Sequence, residues 1–265
     1  LRVGLIGCGG RGTGAVKDCI RSSEGIELVA MGDLFADQLQ GSLTNLKSEV
    51  GAKVKVTDET CFVGWDAYQK VIDSDVDIVF LTTPPHFRPL HLQAAVAAGK
   101  HVFMEKPVAV DPVGVRSVIA SSDLAQQKNL AILAGTQRRH QNHYIEVMKR
   151  VHGGDIGEIV GGQCYFVIHD KPWLGHFLKE RQPGWSDMEY QCRCWYWYTW
   201  LCGDCIVEQH VHNLDIMNWA LGAHPVKCLG IGGREVRKGP EYGNIYDHFA
   251  VEYEYPGGVR ILSMC

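Results

Sequence analysis

The first half of the chain alternates short apolar runs with longer segments that carry apolar residues at helical spacing. Apolar runs of this kind are typical of strands buried in a parallel sheet. Strands that recur after helices at this spacing favour right-handed crossovers and a doubly wound parallel sheet. The predicted strands cover residues 2–7, 26–33, 53–56, 76–82, 100–104 and 130–135. The predicted helices cover residues 13–22, 36–50, 65–73, 90–98 and 112–128.

The pattern changes after residue 143. A helix is predicted over 144–151 and an extended segment over 156–169, followed by a loop rich in Pro, Gly and Trp at 172–185. Helical spacing returns over 206–221, and strands are predicted within 226–265. This order predicts an α+β domain with an open, mostly antiparallel sheet. We therefore expect two domains, 1–143 and 144–265, and a sheet that ends at residue 265 with an open edge suggests an incomplete second domain.

Charge and hydropathy argue against two classes of partner. The net charge of −4 gives no basic surface, so nucleic acid is not an expected partner. No apolar run approaches the roughly 20 residues needed to cross a bilayer, so no membrane partner is expected either. Leu1 already belongs to a strand pattern, so any targeting peptide is expected to have been removed or to be absent. The expected localisation is cytoplasmic by default, with an exported form whose signal has been removed as the alternative.

Most of the ten cysteines stand singly within apolar patterns, which favours reduced, buried thiols. The exception is the pair of motifs Cys192-x-Cys194 and Cys202-x-x-Cys205. Four thiols at that spacing suggest zinc, but structural zinc sites usually place their paired cysteines in Gly-rich turns. The residues between the two motifs, 195–200, are mostly aromatic and typical of packing. We therefore predict no metal site.

A glycine-rich turn, GCGGRG at 7–12, follows the first strand and opens the first helix. In that setting it predicts a dinucleotide site. Gly7 permits the tight turn, Gly9 lets backbone amides approach a diphosphate, and Gly12 allows close packing of helix on strand. The helix N-terminus adds partial positive charge for the anion. A surface turn with no ligand is the alternative.

Asp33 ends the second strand, about 20 residues after the turn, where a carboxylate accepts hydrogen bonds from the adenosine ribose hydroxyls. The same charge repels a 2′-phosphate, and the neighbours Leu34 and Phe35 offer no cation to hold one. The sequence therefore predicts NAD rather than NADP.

Two further segments follow predicted strands, where open α/β sheets bind ligands. The segment TTPPH at 82–86 is placed to flank the nicotinamide-side ribose, although a proline-rich turn without a ligand fits it equally well. In the segment EKP at 105–107, Lys106 would lie beside the nicotinamide ring, partly desolvated and near a cation. Both effects lower the pKa of a lysine and favour proton transfer near neutral pH. A solvated surface lysine is the alternative.

The predicted helix 206–221 carries His212, Asp215 and Trp219 on one face, with Glu208 one turn before the histidine. A carboxylate beside an imidazole orients it and raises its basicity, as a general base requires. Glu208 and His212 also have the spacing of metal ligands. On a regular helix, however, His210 lies about 200° around the axis from His212, so the two imidazoles do not share an ion. A buried structural histidine is the alternative.

Together these residues resemble the glucose–fructose oxidoreductase, inositol dehydrogenase and rhizopine-catabolism (Gfo/Idh/MocA) family. The resemblance is carried by GCGGRG, the acidic end of the second strand, TTPPHF with a downstream His91, AAGKHVFMEKP and the HxxD helix. The stretch at 98–107 is the most specific of these. The resemblance implies an N-terminal Rossmann domain that binds NAD(P). It also implies a C-terminal domain whose open sheet supports the substrate site and the contacts of a homo-oligomer, a dimer or a tetramer.

The family's active-site lysine and histidine match Lys106 and His212, and Glu208 stands where the family has an aspartate. Two departures are this longer carboxylate and His210, which replaces a common glycine. The expected catalytic residues are Lys106, His212 and Glu208. The expected cofactor-binding residues are Gly7, Gly9, Gly10, Arg11, Gly12, Asp33, Thr82, Thr83, Pro84, His86, Glu105, Lys106 and Gln137. The expected substrate-binding residues are Lys106, Arg138, Trp195, Tyr196, His212 and Asp215, the aromatic rings stacking on a sugar unless they are core.

The function expected from this resemblance is hydride transfer between NAD and a secondary alcohol of a sugar, cyclitol or related polyol. Two alternatives stay open. One is an NAD-dependent glycosidase that oxidises its sugar transiently and eliminates the leaving group without net redox change. The other is a non-catalytic NAD-binding sensor.

Overall fold

The computed structural model describes residues 1–167 and 175–265. The chain divides into two compact units, Leu1–Gly135 and Thr136–Cys265. Parts of the predicted extended segment 156–169 and of the loop 172–185 lie outside the described residues. The roles predicted for the domains 1–143 and 144–265 stay predictions. Among the helices of the described chain, none has the length and apolar content that crossing a bilayer requires.

A six-stranded parallel sheet forms the centre of the first unit. Its strands are β1 (Arg2–Ile6), β2 (Glu27–Asp33), β3 (Cys61–Val63), β4 (Ile78–Leu81), β5 (His101–Met104) and β6 (Ile132–Ala134). The helices between them are α1 (Gly10–Ser22), α2 (Ala36–Val50), α3 (Ala67–Asp73), α4 (Arg88–Ala97) and α5 (Pro112–Gln127). The strand order is β3-β2-β1-β4-β5-β6, which is the Rossmann order with its switch point between β1 and β4. The predicted doubly wound sheet is confirmed.

Side chains of the central strand β1 alternate between two hydrophobic clusters, one on each face of the sheet. Val3 and Leu5 belong to the cluster that contains α1 and α2, whereas Ile6 belongs to the cluster that contains α3, α4 and α5. All three side chains are at most 2% exposed. Burying a side chain of this size contributes about 1.5–3 kcal/mol, so the two helical layers fix the position and the register of β1.

The prediction of a strand at 53–56 is wrong. A 3₁₀ turn, Gly51–Lys53, ends at the first residue of that segment, and the next residue, Val54, forms a single bridge with Leu28. The strand beside β2 is β3, which pairs with Met31–Asp33. Val56 is 6% exposed and packs in the cluster with α2, so its apolar character reflects burial without strand pairing.

The second unit contains a four-stranded mixed sheet. Its strands are β7 (Gly161–Tyr165), β8 (Lys227–Gly233), β9 (His248–Glu254) and β10 (Arg260–Met264), in the order β7-β10-β9-β8. Pairs β8–β9 and β9–β10 are antiparallel, and β10–β7 is parallel. The helices are α6 (Asn142–His152), α7 (Asp187–Arg193), α8 (Thr199–Cys202), α9 (Asp204–Glu208) and α10 (Val211–Leu221). The predicted mostly antiparallel sheet is confirmed.

Helix α10 packs on this sheet through Leu214, Met217 and Leu221, which contact a cluster with Cys164 and Ile261. Strand β8 lies at one edge and is solvent-exposed over most of its length. Its side chains Leu229 and Ile231 are 78% and 74% exposed. Because alternate residues of a strand point to the same face, the two form an apolar pair at the surface of the second unit.

Candidate active site

Four strands of the parallel sheet reach their carboxyl ends at the same level. Ile6 is paired with both Gly32 and Leu81, and Leu81 is paired with Met104. The ladder continues into the next residues, since the amide of Gly7 donates to Gly32 O and that of Glu105 to Leu81 O. The residues thus aligned at one edge are Gly7, Asp33, Thr82 and Glu105. In sheets of this topology, the edge beside the switch point is the ligand-binding edge.

Two glycines of the turn, Gly7 and Gly12, are required for the fold. Gly7 has φ of +95°, and a Cβ there would lie 2.6 Å from the amide nitrogen of Thr83. A Cβ on Gly12 would clash with the carbonyl oxygen of Gly7 and with Oγ1 of Thr82. These positions let α1 pack directly against the ends of β1 and β4.

The other two glycines of the turn, Gly9 and Gly10, are not required for the fold. Gly9 has φ of −69° and ψ of 179°, an extended conformation that any residue adopts. Apart from the adjoining backbone, no described atom lies within 4 Å of a Cβ built on Gly9 or Gly10. No side chain of the described residues caps α1, whose first turn contains no acidic residue. Bare backbone at a helix N-terminus beside open space fits a diphosphate group, so the turn fits a dinucleotide.

The carboxylate of Asp33 already organises this turn. Its Oδ2 accepts a hydrogen bond from the amide of Cys8 at 2.6 Å, and its Oδ1 accepts one from the amide of Phe35 at 2.8 Å. Carboxylate oxygens accept more than one hydrogen bond each, so ribose hydroxyls still find acceptors here. Burial, with the charge of Asp33 beside it, raises the pKa of the Cys8 thiol, which therefore stays protonated.

The segment after β4 is fixed by its two threonines. The hydroxyl of Thr82 donates to the carbonyl of Gly7 at 2.6 Å, which ties this segment to the glycine-rich turn. The hydroxyl of Thr83 lies 3.3 Å from Nδ1 of His91, a buried histidine on α4. Burial and the nearby Arg88 lower the pKa of His91 to about 3, so its ring is neutral. Pro84 precedes a short 3₁₀ turn in which His86 is exposed.

The segment after β5 carries the predicted catalytic lysine. Glu105 is only 6% exposed, and its Oε1 accepts a hydrogen bond from Nε of Arg11 at 2.7 Å. Lys106 is half-buried and its peptide bond to Pro107 is cis. The carbonyl of Pro107 accepts a hydrogen bond from Nη1 of the buried Arg88. Both chain neighbours of Lys106 are therefore hydrogen-bonded to an arginine, Glu105 to Arg11 and Pro107 to Arg88.

In the second unit, the prediction of one helix over 206–221 is wrong. Helix α9 ends at Glu208 and α10 begins at Val211, so Glu208 does not precede His212 by one turn of a continuous helix. Glu208 is buried and accepts a hydrogen bond from Nε2 of Gln209. His212 is half-buried in the first turn of α10.

His210 lies at the break between the two helices, as the residue before α10. Its ring is fully buried, with Nε2 2.5 Å from Oγ of Ser263 on β10 and 3.7 Å from Sγ of Cys164 on β7. Nδ1 has no hydrogen-bond partner among the described residues. Burial, with Arg138 nearby, lowers the pKa of His210 to about 4, so the ring is neutral at pH 7. The sheet therefore holds the residue at the start of α10.

Two neighbouring arginines bind side chains of α10 in the second unit. Arg138 donates from Nη1 to Oδ1 of Asn213, while Arg139 binds the carboxylate of Asp215 through Nε and Nη2. Asp215, predicted to bind substrate, is thus paired with Arg139. Arg139 was not among the predicted site residues. The signal was present in the doubled arginine that follows the last Rossmann strand. Gln137 is exposed in the short 3₁₀ turn that contains both arginines.

The two aromatic residues predicted to stack on a sugar lie in different environments. Tyr196 is 1% exposed in a cluster with Trp197 and Cys202, so its ring has no open face for a ligand. Burial raises the pKa of its hydroxyl. Trp195 is only partly buried against that cluster. The structure therefore supports the core interpretation for Tyr196.

The cysteines of the two motifs, Cys192, Cys194, Cys202 and Cys205, are buried free thiols. Within 1–167 and 175–265, no group of three or more His, Cys, Asp or Glu side chains is arranged to hold a metal ion. Of the predicted site residues, those from Gly7 to Lys106 belong to the first unit and those from Gln137 to Asp215 to the second.

Comparison with known proteins finds similar sequences among inositol 2-dehydrogenases. An inositol 2-dehydrogenase of Klebsiella pneumoniae strain 342 is 29% identical over 223 residues, which cover 83% of this chain and 54% of the relative. An inositol 2-dehydrogenase of Pseudomonas syringae pv. syringae is 25% identical over 261 residues, covering 98% of this chain and 66% of the relative. The chain thus spans about half the length of the first of these curated relatives.

Solved structures share the fold. Myo-inositol 2-dehydrogenase from Lactobacillus plantarum matches with a TM-score of 0.72 and 23% identity, over 100% of this chain and 69% of that one. Scyllo-inositol dehydrogenase from Lactobacillus casei, solved with NAD(H) and scyllo-inositol, matches with a TM-score of 0.71 and 19% identity, over 100% and 68%.

A family model described as an oxidoreductase family with an NAD-binding Rossmann fold matches residues 1–136, which is just over half of the 265 residues. The match covers the glycine-rich turn, Asp33 and Lys106. The resemblance drawn from the motifs is confirmed, and the chain belongs to the Gfo/Idh/MocA family of oxidoreductases, whose cofactor is NAD.

Proposed function

We propose that the protein is an NAD-dependent dehydrogenase that transfers a hydride between NAD and a secondary alcohol of a cyclitol, sugar or related polyol. The observation that carries this proposal is the shared carboxyl edge of the parallel sheet. There the open glycine-rich turn, the carboxylate of Asp33 and Lys106 follow the carboxyl ends of β1, β2 and β5. The relatives named inositol 2-dehydrogenase favour a cyclitol within this substrate class.

The first unit is assigned to the cofactor. Amides at the start of α1 would hold the diphosphate, since Gly9 and Gly10 leave the backbone bare there. Asp33 would accept the ribose hydroxyls and repel a 2′-phosphate, which favours NAD over NADP. Thr83, Pro84 and His86 would flank the nicotinamide half, whereas the hydroxyl of Thr82 serves the turn itself. Bound NAD⁺ supplies the hydride acceptor.

Proton transfer is assigned to side chains of this chain. Lys106 carries a donor with three N–H groups, which would bind the substrate hydroxyl and stabilise the negative charge that develops on its oxygen. His212 or Lys106 would accept the hydroxyl proton, as a base does in general base catalysis. Glu208 is buried beside Gln209, so its proposed role is to support the active site rather than to exchange protons with solvent.

The second unit is assigned to substrate binding and to assembly. Trp195 keeps part of its ring accessible and is proposed to contact the polyol. The exposed apolar pair Leu229 and Ile231 on β8 supports a homo-oligomer formed through this sheet. Light scattering of the purified full-length protein tests that assembly, and a monomer at micromolar concentration would contradict it.

The decisive experiment incubates the full-length protein with NAD⁺ and a panel of inositol isomers, sugars and amino-sugar glycosides. Absorbance of the reduced cofactor and release of any aglycone are followed in parallel. A dehydrogenase accumulates NADH in step with substrate consumption. Aglycone release without net NADH would identify a glycosidase instead, and calorimetric binding of NAD without any turnover would identify a sensor.

A further inference from the structure

The Arg11–Glu105 ion pair connects two segments that lie on different strands of the candidate active site. Arg11 stands in the first turn of α1, directly after the bare glycines, and Glu105 follows β5. In the sheet order, β4 lies between β1 and β5, so this side chain reaches past the end of the intervening strand. The Nε–Oε1 distance is 2.7 Å.

The fold buries the Glu105 carboxylate and leaves space for it. Its side chain is 8% exposed, whereas that of Arg11 is 62% exposed. A Cβ on Gly135, the residue after β6, would lie 2.9 Å from Oε2 of Glu105. The missing side chain at Gly135 therefore makes room for the carboxylate. A buried carboxylate without a cation is costly, so the Arg11 guanidinium stabilises this placement.

Lys106 lies between two residues, Glu105 and Pro107, that are each hydrogen-bonded to an arginine. Arg11 binds the side chain of Glu105 on one side, and Arg88 binds the carbonyl of Pro107 on the other. Arg88 is buried on α4 and is part of the core of the unit. Arg11 is instead an exposed residue, whose loss leaves the hydrophobic clusters intact.

We propose that Arg11 is a positioning residue, whose ion pair with Glu105 fixes the direction in which Lys106 presents its amine. This inference rests on the proposed function for its effect on turnover. Its effect on Lys106 itself is independent of that function. Arg11 was expected among the cofactor-binding residues. In this proposal its backbone keeps that role, whereas its side chain positions Lys106.

Helix α1 offers a matched control. Arg21, in the last turn of the same helix, forms an ion pair with Glu49 at the same distance of 2.7 Å. That pair is exposed and lies between α1 and α2, away from the carboxyl edge. Arg21→Met therefore removes an arginine of the same helix, with an ion pair of the same length, without touching the EKP segment.

The test compares the full-length wild type with Arg11→Met, Arg11→Lys, Glu105→Gln, the Arg11→Met/Glu105→Gln double variant and Arg21→Met. Each protein is treated briefly with an amine-reactive acetylating ester without cofactor, and acetylation at each lysine is measured by mass spectrometry. Lys100, at the opposite end of β5, and Lys128 are internal references, since their amines donate to carbonyls of Val76 and Ala97.

We expect Arg11→Met to change the acetylation rate of Lys106 by at least about threefold, with Lys100 and Lys128 unchanged, because removing one member of a coupled pair releases the segment that the pair holds. Arg11→Lys should restore most of the wild-type rate, and Arg21→Met should not alter it. In the double variant the effect should be no larger than that of the stronger single variant, as expected for two residues that act through one interaction.

Turnover and cofactor affinity separate positioning from cofactor binding. Arg11→Met should lower kcat by about tenfold, as expected when a proton-transfer group is misaligned, while changing the Kd for NAD by less than about threefold. An unchanged Lys106 acetylation rate in Arg11→Met, or additive effects in the double variant, would overturn the proposal. If the wild type oxidises no polyol but the acetylation pattern holds, the proposed function fails and the positioning role stands.

Discussion

Arg139 binds both carboxylate oxygens of Asp215, with N–O distances of 2.8 Å from Nε to Oδ2 and from Nη2 to Oδ1. Its guanidinium also lies 5.4 Å from the centre of the Trp219 ring. The pair joins the 3₁₀ turn Gln137–His140 to helix α10, which carries His212. The side chain of Asp215 is 19% exposed, so the pair is better shielded than a surface ion pair.

Arg139→Met should therefore lower the free energy of unfolding by about 1–3 kcal/mol, since it leaves a partly buried carboxylate without its donor. Denaturant unfolding measures the change. Arg260→Met is the control, because its pairs with Glu252 and Glu254 lie at the surface, and a change below about 0.5 kcal/mol is expected there. Equal losses in the two variants would contradict a special role for the Arg139 pair.

Lys106→Met keeps most of the length of the side chain and removes its amine, with its charge and its exchangeable protons. Turnover of the substrate found in the polyol panel should fall by roughly 10²–10⁴-fold, which is the usual contribution of a positioned proton-transfer group. The Kd for NAD, measured by calorimetry, should change little, because the diphosphate and ribose contacts come from other residues. Wild-type turnover in this variant would remove Lys106 from the mechanism.

The glycines of the turn should respond differently to the same substitution. Gly12→Ala places a methyl group against Gly7 O and Thr82 Oγ1, and a loss of about 1–3 kcal/mol in stability is expected from overpacking. Gly9→Ala meets open space and an extended backbone, so it should fold normally and lose NAD affinity. Gly14→Ala is the control. Apart from the backbone of its own helix, no described atom lies within 4 Å of a Cβ there, so the free energy of unfolding should rise by up to about 1 kcal/mol.

Asp33→Asn tests the choice of cofactor. The amide side chain keeps an acceptor for the Cys8 N–H but loses the negative charge. The Kd for NAD should rise by about 10- to 100-fold, as expected when a charged hydrogen bond of 1.5–3 kcal/mol is lost. The Kd for NADP should fall relative to that for NAD, because the 2′-phosphate is no longer repelled. An unchanged ratio of the two constants would show that Asp33 does not set the preference.

Stability should decrease as the pH falls from 7 to 5. His91 and His210 have folded pKa values lowered to about 3 and about 4, below the ordinary value of 6.5. In this range the unfolded chain binds protons that the folded protein does not, so acid favours unfolding. Each histidine should contribute a loss of up to about 2 kcal/mol between pH 7 and pH 5.

The groups packed around the His91 and His210 rings determine this pH dependence. His91 faces Tyr68, Thr83 and the charge of Arg88, and His210 faces Ser263 and Cys164 with the charge of Arg138 nearby. Unfolding free energies of His91→Asn and His210→Asn at pH 7 and pH 5 measure each contribution. Each variant should depend less on pH than the wild type, even where its stability at pH 7 is lower.

Most of the first unit could be predicted from sequence, because its central strands β1, β2 and β4 are buried on both faces and their apolar runs are continuous. Strand β3 could not, since its three residues are at best half-buried and give a weak pattern. The apolar residues of 53–56 gave a stronger pattern for a different reason, the packing of Val56 against α2. The glycine-rich turn and Asp33 were predictable because their roles depend on local backbone geometry.

The second unit was harder to predict because distant contacts determine its local structure. At the break between α9 and α10, His210 contacts Ser263, 53 residues later in the chain. The pairing of Asp215 with Arg139 joins residues 76 positions apart. Helical periodicity alone carries no sign of either contact. The burial of Tyr196 is likewise a property of the surrounding cluster, which periodicity does not reveal.

Gly9 and Gly12 lie three residues apart in one motif, yet different pressures maintain them. Gly12 is held by the fold, since any larger side chain meets the backbone of Gly7. Gly9 is free of that constraint. In a laboratory population selected only for correct folding, Gly9 should drift toward other residues while Gly12 stays fixed. Retention of Gly9 would then report on ligand use rather than on architecture.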